Sequence, residues 1–229
     1  MKTKTSYKSI ATALTALSLS VISAHAGTFS VLGLTGDADS GISTAKTYTA
    51  KADFRGDGTQ SINGVAFSDT GFTGSGYVLA ISDFGEFANS GSGNNVSGAI
   101  GATQNNFYFS LTSGLSTLTL SGLTVGQEYI TSFYSRGFGN VGTRIQDVTA
   151  SDTGATIAYD QNVNGSGNGS ILSYTFTATA TTQAYTFDAQ VNTDSFHQYG
   201  FSNEVVPEPS SLMLGGLGVL ALAATRRRK

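Results

Sequence analysis

The chain has 229 residues with no cysteine, no tryptophan, two prolines and two histidines, and only 12% of its residues are charged. Without cysteine there is no disulfide framework, no thiolate metal site and no cysteine nucleophile. Without tryptophan the largest ring for stacking on a flat ligand is missing. The two histidines are His25 and His197, and no Gly-x-Ser-x-Gly stretch accompanies them. A triad hydrolase therefore has few candidate bases and no nucleophile setting.

Among what is there, 29 glycines and abundant Thr, Ser and Asn make a chain poor in helix formers and rich in strand and turn formers. Charge is unevenly placed. Lys2, Lys4 and Lys8 open the chain and Arg226, Arg227, Arg228 and Lys229 close it. Between residues 27 and 206 only Lys46, Lys51, Arg55, Arg136 and Arg144 stand against fourteen Asp and Glu, a net of −9. That balance argues against a phosphate-backbone binder, so no nucleic-acid partner is expected.

Both ends read as addresses. The start carries lysines, then an apolar and small-residue stretch from Ile10 to Ile22, then the small-x-small triplet Ala24-His25-Ala26. This is the pattern of a secretory signal peptide over 1–26, cut between Ala26 and Gly27 by signal peptidase after passage through the Sec machinery. An N-terminal core helix is the competing reading. Only His197 outlasts that cut. At the other end the sole prolines, Pro207 and Pro209, flank Glu208. Proline lacks an N–H and pushes its predecessor toward extended backbone, so Val206 to Pro209 forms an extended spacer ending the folded part. Ser210 to Thr225 is a run of sixteen uncharged residues, which as a helix reaches ~24 Å against a hydrocarbon core of ~30 Å. The basic end then stays on the cytoplasmic side and leaves the acidic domain outside.

This tail, 206–229, resembles the PEP-CTERM sorting signal of Gram-negative bacteria. Pro207, Glu208 and Pro209 match the signature, Leu212 to Ala224 the short transmembrane segment, and Arg226 to Lys229 the basic stop. The resemblance implies recognition by an exosortase, transient anchoring in the inner membrane, removal of the tail, and a place at the cell surface or in the extracellular matrix, in association with exopolysaccharide. A plain anchor that is never cut is the alternative.

From 27 to 205 short alternating runs are punctuated by Gly, Asn, Asp and Ser. The expected strands cover 28–34, 45–54, 61–67, 76–82, 106–112, 115–121, 127–135, 143–150, 155–161, 170–179, 183–191 and 197–205. Little helix is expected, and 85–105 reads as a loop. The stretch LTLSGLTVGQEYITSFYS sets Leu118, Leu120 and Leu123 before Gly126 and Tyr129. It has the form of a sandwich corner in which a tyrosine hydroxyl satisfies a backbone group. The fold class is thus all-β: a two-layer antiparallel sandwich of jelly-roll type, since the strand count exceeds the usual seven, flanked by a signal helix and a C-terminal transmembrane helix. The runs INGVAF, GLTVGQEY, ILSYTFTAT and HQYGFSNEV also resemble galactose-binding-like and carbohydrate-binding-module-like domains.

The domain's chemistry is sparse. Tyr134, Arg136, Phe138 and Arg144 cluster in sequence, with His197, read as a partly exposed strand-end residue, and Tyr199 near the last strand. They form a candidate glycan contact set, with packing as the plainer reading. Asp37, Asp39 and Ser40, and Asp53 with Asp57, offer fragments of a calcium loop without a closing ligand. No cofactor is expected; structural calcium is the one metal these fragments suggest. Arg55-Gly56-Asp57 reads as a turn. The expectation is a non-catalytic matrix protein, with a carbohydrate-binding module for the cell's own polysaccharide as the alternative and a glycan hydrolase after it.

Overall fold

Alternation of apolar and polar residues becomes two facing sheets in the computed structural model, which describes residues 27–56, 58–87, 91–110, 114–190 and 195–207. In chain order the strands are β1 (Thr28–Leu34), β2 (Thr47–Asp53), β3 (Gln60–Ile62), β4 (Val65–Phe67), β5 (Thr73–Gly74), β6 (Tyr77–Ile81), β7 (Phe84–Phe87) and β8 (Phe107–Ser110). They continue as β9 (Leu115–Ser121), β10 (Glu128–Arg136), β11 (Ile145–Ala150), β12 (Thr156–Asp160), β13 (Gly169–Thr177), β14 (Thr182–Ala189), β15 (His197–Gln198) and β16 (Gly200–Val205). A short helix, α1 (Gly98–Ala102), lies between β7 and β8.

One sheet has the order β1-β13-β10-β16-β2 and the facing one β12-β11-β14-β9-β6-β5. From β9 to β16 the chain keeps crossing between these two layers, which is the jelly-roll habit. The inner faces meet through Tyr129, Phe133, Leu172, Tyr174, Phe176 and Phe201 on one side and Leu118, Leu120, Val148, Tyr185 and Phe187 on the other. The Phe133 ring meets Tyr185 and Phe187 edge-on, with centroids 5.2 and 5.0 Å apart. Full burial of each such side chain contributes roughly 1.5–3 kcal/mol.

Along β10 burial alternates up to Phe133 and then becomes continuous through Arg136. The facing start of β13 is continuously buried too. The cause is a second cluster on the outer face of the five-stranded sheet. There Leu34, Ile62, Phe67, Ile100, Tyr134 and Ile171 pack under the β3–β4 hairpin and α1.

The expected corner is present: the Thr124 N–H donates to the Tyr129 hydroxyl at 2.9 Å, and Leu118, Leu120 and Leu123 are buried. Three local expectations are corrected. The run 61–67 is a hairpin, because Asn63 and Gly64 both take positive φ, 49° and 83°, as a two-residue turn demands. The run 197–205 breaks into β15 and β16 at Tyr199. The loop expected over 85–105 contains α1, whose Ala99 and Ile100 N–H groups donate to the Asp37 carboxylate at 3.1 and 2.7 Å. Among the described residues no helix is long and apolar enough to cross a membrane. The expected signal helix and transmembrane helix lie outside the described residues.

Candidate functional site

Five of the six side chains singled out in the sequence converge at one end of the sandwich. β10 ends on Arg136, the following loop carries Phe138 and Arg144 into β11, and β15 brings His197 with Tyr199 just beyond it. Both guanidinium carbons lie 5.6 Å from the centre of the Phe138 ring. The His197 ring stacks on Phe107 with centroids 3.8 Å apart and meets Phe138 edge-on at 5.2 Å. Arg144 donates through Nη1 to the Ser195 carbonyl and to the Ser195 hydroxyl.

Burial decides what this cluster does. Arg136 is 1% exposed, Arg144 8%, His197 4% and Tyr199 1%, and only Phe138, at 39%, reaches solvent. His197 is therefore a core residue rather than the partly exposed strand end expected, because Phe107, Phe138 and Tyr199 enclose its ring. Burial, then the Arg144 and Arg136 charges, hold its pKa well below the ordinary value. The imidazole is neutral. Its Nδ1 lies 3.0 Å from the Tyr199 hydroxyl, which donates onward to the Arg136 carbonyl at 3.2 Å, so Nδ1 carries the proton. Tyr134 is not part of this group. It lies in the outer cluster, with its hydroxyl 2.9 Å from that of Ser202 and its ring edge-on to Phe67. Burial raises its phenol pKa.

An open groove of about 220 Å³ lies elsewhere, along the outer edge of β2 in the five-stranded sheet. Tyr48, Thr49, Lys51, Ser68, Thr70 and Ser75 line it, with two alanines between them. The Asp53 N–H donates to the Ser68 carbonyl at 3.1 Å, joining the end of β2 to the opposite wall. In a regular strand residues 48 and 51 point to opposite faces. Here the register against β16 shifts between Asn203 and Glu204, making Thr49 an extra residue. That bulge brings Lys51 Nζ to 5.9 Å from the Tyr48 ring centre. The result is a ring, an ammonium and four hydroxyl-bearing side chains around one concavity. The sequence reading did not find it; the only signal was a Tyr and a Lys three apart, a spacing that strand periodicity assigns to opposite faces.

The acidic fragments have structural employment. Asp37 caps α1. Asp39 accepts from the Thr35 N–H and hydroxyl at 2.9 and 2.6 Å and from the Gly36 N–H at 3.0 Å. Asp53 is fully buried at the end of β2, and Asp57 lies outside the described residues. Among the described residues no three acidic or histidine side chains gather where they could hold a metal ion. Arg55 pairs with Glu86 at 3.0 Å. Of the terminal positions, Gly27 and Pro207 are described, while Ala24, Ala26, Glu208, Pro209, Arg226, Arg227, Arg228 and Lys229 lie outside the described residues.

Among the described residues the class of molecule is thus an antiparallel β-sandwich. Residues 205–229 match the PEP-CTERM protein-sorting motif, which marks a surface protein processed by an exosortase. No curated protein matches the chain. Among solved structures it is similar to an exo-β-1,3-galactanase from Phanerochaete chrysosporium, seen with β-1,3-galactotriose in two variants. These are 17% and 14% identical, with TM-scores of 0.34 and 0.33 over 62% of this chain. The chain spans only 31% of each galactanase. It is also similar to the CBM35 from Cellvibrio japonicus Abf62, 11% identical with a TM-score of 0.32, over 76% of this chain and 92% of that one.

Proposed function

We propose that the protein is a non-catalytic component of the cell's own extracellular polysaccharide matrix, exported, held briefly in the inner membrane by its tail and set free or attached at the surface by an exosortase. The observation that carries this reading is the sorting match over 205–229, which begins on the last residue of β16. The last described pairing is made by Val206, whose N–H donates to the Glu128 carbonyl at 2.9 Å and whose carbonyl accepts from Gln127 at 2.7 Å. The signature then begins at Pro207, the residue after that pairing. The acidic balance between 27 and 206 suits a domain that stays soluble among neutral sugar chains without adhering to nucleic acid. The test is to fractionate cells and determine both ends of the mature protein by mass spectrometry. The expected product starts at Gly27, lacks the basic end and co-fractionates with matrix polysaccharide. Recovery of surface protein that still carries Arg226 to Lys229 overturns processing.

The β2 groove favours a second reading, a glycan-binding module. Hydroxyl-bearing side chains beside a tyrosine ring offer a sugar both hydrogen bonds and a stacking face. Titrating the mature protein with matrix polysaccharide should give saturable binding, weakened at least about tenfold by Tyr48→Ala, a loss of about 1.4 kcal/mol. The same mixture assayed for released sugar distinguishes binding from hydrolysis.

A further inference from the structure

We propose that β1 is a self-association edge, pairing antiparallel with β1 of a second copy of this chain to extend the five-stranded sheet through both molecules. Among the described strands β1 pairs with β13 alone, so along residues 29–33 a row of its backbone N–H and C=O groups faces away from the sheet. Natural edge strands are blunted by shortness, charge, proline, a bulge or a covering segment. The other edges here show these devices. β5 has two residues, β12 ends on Asp160, and β2 contains Lys51 and Asp53 and is flanked by the 66–75 wall of the groove. Among the described residues β1 shows none of them: its seven residues, TFSVLGL, run in unbroken register with β13.

Its side chains agree. Phe29 packs inward on Tyr174, with ring centroids 4.4 Å apart, so Val31 shares that face. Leu34 belongs to the outer cluster, so Ser30 and Leu32 share the other face. Val31 is 38% exposed and Leu32 63%. One exposed apolar residue on each face is what a neighbouring strand covers on both sides of a sheet.

Charge and symmetry point to a second copy as the occupant. With a net of −9 over residues 27–206, two copies repel wherever their carboxylates come within about 8–10 Å. β1 is the edge longer than four residues that carries no charge among the described strands, and it meets its own image without like-charge contact. A two-fold axis perpendicular to the sheet keeps each side chain on its own face, so the pairing must set one residue opposite itself. Overlap of 29–33 on both strands makes that residue Val31. The contact is smaller than the roughly 1,200 Å² of a standard stable interface, so the association is weak and depends on concentration.

The absence of cysteine makes the test clean. Ser30→Cys, Val31→Cys and Leu32→Cys are made one at a time in the mature protein and oxidised, with Thr119→Cys on the outer face of the six-stranded sheet as control. Sedimentation velocity is run on the parent and on Leu32→Lys, whose unchanged far-UV dichroism and melting report an intact fold. The expected result is a concentration-dependent dimer in the parent, lost in Leu32→Lys, and a disulfide dimer at one β1 position but not at Thr119. A parent that stays monomeric throughout, association untouched by Leu32→Lys, equal cross-linking of the control, or pairing that requires a different protein would each overturn the proposal.

Discussion

A histidine enclosed by three rings and two guanidinium groups has to choose its protonation state before the chain can fold. In the unfolded chain His197 titrates near about 6.5. In the folded domain burial and the charges of Arg144 and Arg136 push that value well down. The neutral form is therefore the folded form, and the unfolded state binds the extra proton first. Stability from this residue is complete above about pH 6.5 and is lost as pH falls below it. Urea unfolding of the parent between pH 7.5 and 5 should show this loss, His197 contributing a slope of up to about 1.4 kcal/mol per pH unit. His197→Gln, which keeps a polar group facing Tyr199, should flatten that part of the slope. An unchanged slope would mean that the imidazole already accepts the proton in the folded domain.

Elements differ in how plainly the chain announces them. The runs at 28–34 and 115–121 became β1 and β9 with the same limits: in β9 every second residue, Ser116, Leu118 and Leu120, is buried, while β1 is mostly exposed and is held by its unbroken ladder to β13. The Tyr129 corner was legible because its leucines, glycine and tyrosine act within one short stretch. The hairpin of β3 and β4 was legible in its Asn63-Gly64 pair, the dipeptide a two-residue turn favours, and was overlooked because each strand is only three residues long. α1 was hidden more deeply. Five residues of Gly, Ala and Ile carry no helical period, and the helix N-terminus is satisfied by Asp37, 62 and 63 positions away from the two groups it binds. The β2 groove depends on a bulge, which no alternation pattern contains, and the arginine pair is buried although arginine composition argues for the surface. Asp37→Ala tests the long-range cap. It should lower stability by about 0.5–2 kcal/mol and raise amide exchange at Ala99 and Ile100 before the strands respond. Exchange unaltered in α1 would show that apolar packing of Ile100 alone holds the helix.

At the scale of the molecule the last described pairing is made by Val206, and the proposed processing requires that the chain up to that point fold by itself. β16 is an interior strand, hydrogen-bonded to β10 on one side and β2 on the other. It supplies Phe201, at 0% exposure, to the main core and Asn203, also at 0%, to a polar chain in which it accepts from Thr131 and donates to Thr49. Removing such a strand forfeits two ladders and a buried ring. That loss is comparable with the entire 5–15 kcal/mol by which a domain of this size is stable. Shortening the chain to end at Pro207 keeps both ladders and the Val206 pairing with Glu128. Calorimetry should therefore give the 27–207 chain the same melting temperature as the parent within a degree or two, while a chain ending at Tyr199 should lose its cooperative transition. That outcome would fit the proposed removal of the tail by an exosortase, which requires the domain to stay folded afterwards. Should the 27–207 chain melt well below the parent, the tail would be part of the fold and its removal an unfolding event.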